Sequence, residues 1–147
     1  MNDPVETAGA RRFTQRVHFE RDRTVTVATG KVELGQGITT ALMQIAADEL
    51  GVPLERIRIL PASTAYSPDE GFTSGSLSIQ DGGKALRKTC AELRALLAKS
   101  GKKSYWDLEV AGKDIPADAP ERPAAEYKVV GHNMPRVDLP AKFAGRA

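Results

Sequence analysis

The sequence contains a single cysteine, Cys90, so no disulfide bond can form within the chain. Its two histidines, His18 and His132, are far apart in the sequence and cannot, with one cysteine, supply a zinc or iron–sulfur ligand set. The composition therefore excludes a fold held together by disulfides and a metal centre built from Cys and His. Cys90 lies on an apolar helix face, where we expect a small buried side chain.

Charge of one sign and long apolar runs are also scarce. The net charge is only +2, and no basic run is interleaved with aromatic residues, which argues against nucleic acid as a partner. No apolar stretch is long enough to cross a membrane. Arg11 and Arg12 resemble part of a twin-arginine signal, but no apolar segment follows them. We expect a cytoplasmic protein with no membrane span.

A glycine-rich stretch at residues 29–37 (TGKVELGQG) lies between a predicted strand at residues 24–28 and a predicted helix at residues 38–50. Glycine permits positive φ and close approach of a ligand to the backbone, and the N–H groups of a helix start favour an anion. The spacing is neither that of a Walker loop nor that of a Rossmann fingerprint. A cofactor-binding loop and a plain strand–turn–helix corner are equal alternatives for this stretch.

The elements around this stretch predict a hairpin followed by a strand–helix–strand unit. Apolar residues alternate over residues 13–19, a charged turn follows at residues 20–23, and His18 is expected to be an exposed strand residue. The helix presents one apolar face, and Gly51 and Pro53 end it. A strand is predicted at residues 56–60, which completes a βαβ unit.

A second informative stretch, FTSGSLSIQDGG at residues 72–83, precedes a long helix predicted over residues 76–99. One face of this helix contains Ile79, Gly82, Gly83, Leu86, Cys90, Leu93 and Leu97. Two adjacent glycines cost about 1 kcal/mol each in a helix, so we expect something to pack closely against the backbone there. The serines either cap the helix or bind a ligand, and their number favours a ligand.

The helical pattern of apolar residues does not continue after Ser100. We expect a linker over residues 101–126 that includes a short strand at 105–110 turning at Gly112, then a strand at 127–131. Residues 134–147 have no periodicity. The predicted organisation is a disordered lead (1–11), an α/β domain (12–100), the linker (101–126), and a strand with the entrance to a further domain (127–147). The predicted fold class is α+β, with a hairpin, a βαβ unit and a long helix in two layers and an extended C-terminal tail.

Several of these motifs, in the same order, resemble one known family. The segments GKVELGQG (30–37), AADELGVP (46–53), RIRI (56–59) and TSGSLSIQ (73–80) are similar to the molybdopterin-binding large subunit of the xanthine dehydrogenase/aldehyde oxidase family. The nearest branch is the isoquinoline 1-oxidoreductase and nicotinate dehydrogenase type. Residues 135–142 (PRVDLPAK) resemble the lead into that family's hammerhead domain.

The resemblance implies a molybdenum–pterin cofactor, with the cytosine dinucleotide form expected, and iron–sulfur clusters on a partner chain only. Partners would be the remainder of the large subunit and an iron–sulfur subunit. The resemblance places cofactor contacts on Leu34, Gly35, Gln36, Gly37, Gly75, Ser76 and Ser78. The implied reaction is hydroxylation of an aldehyde or N-heterocycle, with water as the oxygen source.

One departure from the family limits this interpretation. The sequence stops where the large subunit continues, and the family's catalytic glutamate lies beyond that point, so no catalytic residue is assigned. Glu33 is expected to have a structural role near the helix start. We therefore predict a cofactor-binding portion that is inactive alone. The alternative is a non-catalytic α/β module that binds a partner protein or a phosphorylated ligand.

Overall fold

Three short strands form one mixed sheet in the computed structural model, which describes residues 15–110, 116 and 118–146. Strand β1 (Val17–Phe19) pairs antiparallel with β2 (Val25–Val27), and β2 pairs parallel with β3 (Ile57–Ile59). The predicted hairpin is confirmed, but β1 begins at Val17 because Gln15 and Arg16 are helical. His18 is exposed, as predicted. The expectations for residues 1–11, Phe13 and Gly112 lie outside the described residues.

Helix α1 (Ile38–Leu50) connects β2 to β3 and has the bounds that the sequence predicts. It ends at Gly51, whose φ of 70° is left-handed and whose N–H donates to the carbonyls of Ala47 and Asp48. A β-carbon is disfavoured in this conformation, which is why a glycine ends the helix. The parallel pairing of β2 with β3 confirms the βαβ unit.

The core lies between this sheet, α1 and a second long helix, α2 (Lys84–Ser100). Cys90 is fully buried there, and burial raises the pKa of its thiol, so Cys90 is a small apolar side chain as predicted. Tyr105 stacks on Phe19 with ring centroids 5.0 Å apart and donates its hydroxyl to the carbonyl of Leu50. The buried members are Val17, Val25, Val27, Ile38, Leu42, Met43, Ala46, Ala47, Leu50, Ile57, Leu86, Cys90, Leu93 and Tyr105.

The second helix starts later than predicted and begins with a π-helical turn, Ile79–Gly83. Ser76 has a φ of 57° and therefore lies before the helix. The predicted close packing is confirmed, because a β-carbon on Gly82 would lie 3.0 Å from Cγ of Lys31 and one on Gly83 would lie 3.1 Å from Cδ1 of Ile45. Ile79, which the sequence places on the same face as Gly82 and Gly83, has an exposed side chain.

The two strands predicted after α2 do not form in the structure. Residues 105–107 form a 3-10 turn, Tyr105–Asp107, because the Ser104 hydroxyl accepts from the N–H of Trp106 and starts a turn. Residues 127–131 form bends and turns, because the N–H groups of residues 128–130 donate to the Asp48 carboxylate on α1 rather than to a neighbouring strand. A short helix, α3 (Leu139–Phe143), lies in the segment for which the sequence shows no periodicity and an extended tail was expected.

Two adjacent carboxylates near the end of α1 accept hydrogen bonds from residues 122–130, which we call the C-terminal segment. Asp48 accepts from the N–H groups of Lys128, Val129 and Val130 at 2.7–3.2 Å. Glu49 accepts from the N–H of Arg122 with both oxygens. Both carboxylates are buried, and a buried charge is tolerated only when it is hydrogen-bonded. Residues 122–130 are therefore fixed to α1 by main-chain hydrogen bonds to acidic side chains.

We expect Asp48→Asn to release this segment. An amide NH₂ would face N–H donors that a carboxylate oxygen now accepts, so the free energy of unfolding should fall by about 1.5–3 kcal/mol. Urea unfolding measures the loss, and proteolysis should cut residues 120–132 faster than in the parent chain. Asp107→Asn, at an exposed position, is the matched control. Equal cleavage of both variants in this segment would contradict the assignment.

Candidate functional site

Two loops on one side of the domain contain the residues that the sequence singles out. We call residues 29–37 the first loop and residues 70–78 the second loop. The N–H of Val32 donates to the Thr73 hydroxyl at 2.9 Å. Nζ of Lys31 donates to the carbonyls of Glu70 and Phe72 at 2.6 and 3.1 Å. The structure thus joins two segments that are about forty residues apart in the sequence.

Glu33 organises the first loop at the start of α1. One carboxylate oxygen accepts from the N–H groups of Gly35 and Gly37, each at 2.9 Å, and the other accepts from Thr39 at 3.1 Å. Gly35 and Gly37 both have positive φ, which lets their N–H groups point at one acceptor. The expectation of free N–H groups at this helix start is therefore wrong for Gly37 and Thr39. Glu33 itself occupies the place of an anion, which agrees with its expected structural role.

The side chain of Gln36 folds back on the first loop. Its Oε1 accepts from the N–H of Leu34, and its Nε2 donates to the carbonyl of Val32 at 2.9 Å. An amide nitrogen carries two N–H donors, so one donor of Nε2 is left beyond these bonds. Leu34 is exposed and offers an apolar side chain beside it. These residues hold the shape of the first loop and present one amide donor and one apolar group at its surface.

Arg136 and the residue after it contact the first loop and α1. Its Nη1 donates to the carbonyl of Gly35 at 2.7 Å, while its Nε and Nη2 donate to the carboxylate of Asp138. The guanidinium and the nearby Lys142 hold the pKa of Asp138 well below its usual range. The N–H of Val137 donates to the Thr40 hydroxyl on α1. The sequence does not reveal the contact between Arg136 and Gly35, because about a hundred residues separate them.

The second loop leaves its serine hydroxyls available. Ser76 has a left-handed backbone at an exposed position, and Gly75 before it has a φ of 62°. The hydroxyls of Ser76 and Ser78 make no hydrogen bond to any residue that the structure describes, and Ser78 does not cap the helix with its side chain. The capping alternative for this serine cluster therefore has no hydrogen bond to support it. Hydroxyl donors without a partner among the described residues, beside a helix start, suit a phosphate or the polar edge of a cofactor.

Exposed apolar side chains surround these polar groups. Phe72 is 91% exposed in the second loop, and Ile79 follows the loop at the start of the π-helical turn. Exposed apolar side chains grouped together are typical of surfaces that bind another molecule. Five exposed large apolar residues belong to or adjoin the two loops: Val32, Leu34, Phe72, Leu77 and Ile79.

Neither a metal-ligand cluster nor a membrane-spanning helix occurs among the described residues. In residues 15–110, 116 and 118–146, no group of three or more His, Cys, Asp or Glu side chains is arranged to hold a metal ion. Among the same residues, no helix combines the length and apolar character needed to cross a bilayer. The groups that the two loops offer to a ligand are their backbones, the serine hydroxyls and the Gln36 amide.

The structure is a small α+β domain in which hydrogen bonds join two exposed loops that precede helices. Comparison with known families makes this specific, because the family described as molybdopterin cofactor-binding domain matches residues 3–137. The chain belongs to this family. The match spans both loops, and it confirms the resemblance found in the sequence.

Known relatives include a nicotinate dehydrogenase subunit and aldehyde oxidases. The chain is 30% identical to a subunit of nicotinate dehydrogenase from Pseudomonas putida, over 84% of this chain and 13% of the relative. It is 37% identical to aldehyde oxidase 4 of Cavia porcellus, over 62% of this chain and 7% of the relative. It is 40% identical to aldehyde oxidase 2 of the same animal, over 60% and 7%. The chain thus spans a small part of the length of these relatives.

The hydrogen bonds at Glu33 predict a pH dependence. Partial burial raises the pKa of this carboxyl, but the N–H groups of Gly37, Thr39 and Gly35 outweigh burial and lower it below the ordinary 4.5. A depressed pKa in the folded state stabilises the fold above the unfolded value, and this contribution is lost as the pH falls through the folded value. We expect Glu33→Gln to be less stable than the parent chain above about pH 4.5 and to approach its stability at lower pH.

Urea unfolding of the parent chain and of Glu33→Gln at several pH values between about 3 and 7 measures this dependence. Glu109→Gln is the control, because Glu109 is exposed. A stability difference for Glu33→Gln that stays constant over the whole range would mean that the carboxylate charge does not hold the loop.

Proposed function

We propose that this chain provides part of the molybdenum–pterin binding site of a molybdenum hydroxylase and is active only with partner chains. The observation that carries the proposal is the junction of the two exposed loops within a domain of the molybdopterin cofactor-binding family. The alternative, a non-catalytic module that binds a partner protein or another phosphorylated ligand, does not account for membership in a cofactor-binding family. The main interpretation is therefore favoured over the alternative drawn from the sequence.

The proposed contacts follow from the groups that each loop leaves available. Ser76 and Ser78 donate their hydroxyls to phosphate oxygens of the cofactor, and Gly75 allows the backbone to approach closely. In the first loop, Gln36 offers its remaining amide donor. Leu34, Gly35 and Gly37 complete the set by packing and backbone shape. Glu33 already satisfies N–H groups at the start of α1, so we assign the phosphate to the second loop.

The cofactor, when bound, supplies the two-electron redox chemistry by which such enzymes hydroxylate a carbon centre with oxygen from water. This chain's residues bind and orient it, and no catalytic residue is assigned here. We propose the cytosine dinucleotide form and a substrate of the aldehyde or N-heterocycle class, as for the nicotinate dehydrogenase and isoquinoline 1-oxidoreductase type. The proposed partners are the remainder of the large subunit, which residues 127–147 would lead into, and an iron–sulfur subunit, all in the cytoplasm.

Loss of the two serine hydroxyls should weaken cofactor retention. Hydrogen bonds to a charged group contribute roughly 1.5–3 kcal/mol each, so Ser76→Ala with Ser78→Ala should reduce retention by about a hundredfold after partial compensation. The measurement is molybdenum and released cytosine nucleotide in the complex purified from its own cells. Ser74→Ala is the matched control, because Ser74 is an exposed serine of the same loop outside the proposed contacts. Full molybdenum occupancy in the double variant would refute the assignment.

The apolar residues around the loops should make the isolated chain associate. We expect it to bind a dye for exposed apolar surface, and to self-associate or to co-purify with a larger chain. Phe72→Ser should reduce dye binding and self-association, whereas Phe143→Ser, at an exposed aromatic position in α3, should have less effect. Sedimentation as a stable monomer at high concentration, without dye binding, would count against a covered surface.

A further inference from the structure

Lys31 is a buried lysine within the glycine-rich first loop. The residue is only 3% exposed. A buried amino group requires hydrogen-bond partners, and Lys31 finds them outside its own loop, on the carbonyls of Glu70 and Phe72. A single side chain of the first loop therefore binds the backbone at the beginning of the second loop.

The stem of the same side chain contacts the π-helical turn that follows the second loop. A β-carbon on Gly82 would lie 3.0 Å from Cγ of Lys31, so the π-helical turn packs directly on this stem. The same β-carbon would lie 3.1 Å from Oε2 of Glu70. Glycine at position 82 is thus required by the stem of Lys31 and the carboxylate of Glu70. The amino group holds the residues before the serine cluster, and the stem supports the residues after it.

The second loop needs such support because it has little structure of its own. Gly71, Gly75 and Ser76 all have positive φ within six residues, and the loop contains no helix or strand. Its base is held further by the Glu70 carboxylate, which accepts from the N–H of Gly30, the hydroxyl of Thr29 and the guanidinium of Arg16. These bonds fix Glu70, whereas Lys31 contacts residues on both sides of the serine cluster, namely residues 70–72 before it and Gly82 after it.

We propose that Lys31 is a positioning residue that sets the placement of the second loop, and with it Ser76 and Ser78, for cofactor binding. This inference rests on the proposed function. Lys31 touches no proposed cofactor contact directly and acts through the backbone at residues 70–72 and through the packing of Gly82.

The variant Lys31→Met tests the inference, because methionine keeps an unbranched stem against Gly82 and removes the amino group. Chymotrypsin can cut the full chain at Phe72, which is exposed, and at Tyr105, which is buried in the core and reports global unfolding. We expect the ratio of cleavage at Phe72 to cleavage at Tyr105 to rise about tenfold, since two hydrogen bonds to the loop are lost. Molybdenum content in the purified complex should fall by at least a similar factor.

Two controls separate positioning from general destabilisation. Lys84→Met removes an exposed amino group from the start of α2 and should leave the ratio and the molybdenum content unchanged. Leu93→Ala destabilises the core, so it should speed cleavage at both sites without raising the ratio.

An unchanged cleavage ratio in Lys31→Met, or an equal rise in Leu93→Ala, would overturn the inference. A raised ratio with full molybdenum content would also overturn it, because the loop would then be held without consequence for the cofactor. A complex of the parent chain that contains no molybdenum would refute the proposed function instead. In that case the cleavage ratio still decides whether Lys31 holds the loop.

Discussion

Carboxylates that accept main-chain N–H groups hold together the parts of this chain that lack regular secondary structure. The sheet has three strands of three residues each, which is too little to organise the long loops around it. Glu33 gathers the first loop, Glu70 anchors the base of the second, and Asp48 and Glu49 fix the C-terminal segment. Each of these carboxylates is wholly or partly buried, and each is compensated by several donors, so removing the donors or the acid leaves a buried polar group unsatisfied.

Local patterns allow the regular elements and the two loops to be predicted from the sequence. Helix α1 is predicted with its observed bounds, because its apolar periodicity is bracketed by Gly37 and by Gly51 and Pro53. The close packing at Gly82 and Gly83 can be inferred because adjacent glycines in a helix need a structural reason. The serine cluster stands out because a helix cap needs only one hydroxyl, and Ser78 makes no side-chain cap in the structure.

Several of the incorrect predictions share a cause, which is that long-range hydrogen bonds leave no local signal. Residues 127–131 have a strand-like composition. In the structure, however, the N–H groups of residues 128–130 donate to Asp48, which lies about eighty positions earlier in the sequence. The roles of Glu70 and Arg136 are missed for the same reason, since their partners on the first loop are forty and a hundred residues away. The start of α2 is placed too early, because the left-handed backbone of Ser76 is unusual for a residue with a β-carbon.

The long separation between Asp48 and its donors has a consequence for synthesis on the ribosome. Residues 128–130 emerge about eighty residues after Asp48. At roughly 5–20 residues per second, several seconds pass before these donors are available. During that interval the nascent βαβ unit carries two acidic side chains without their main-chain donors on the surface of α1. The hydrogen bonds at the end of α1 are thus completed only after the chain has grown about eighty residues beyond Asp48.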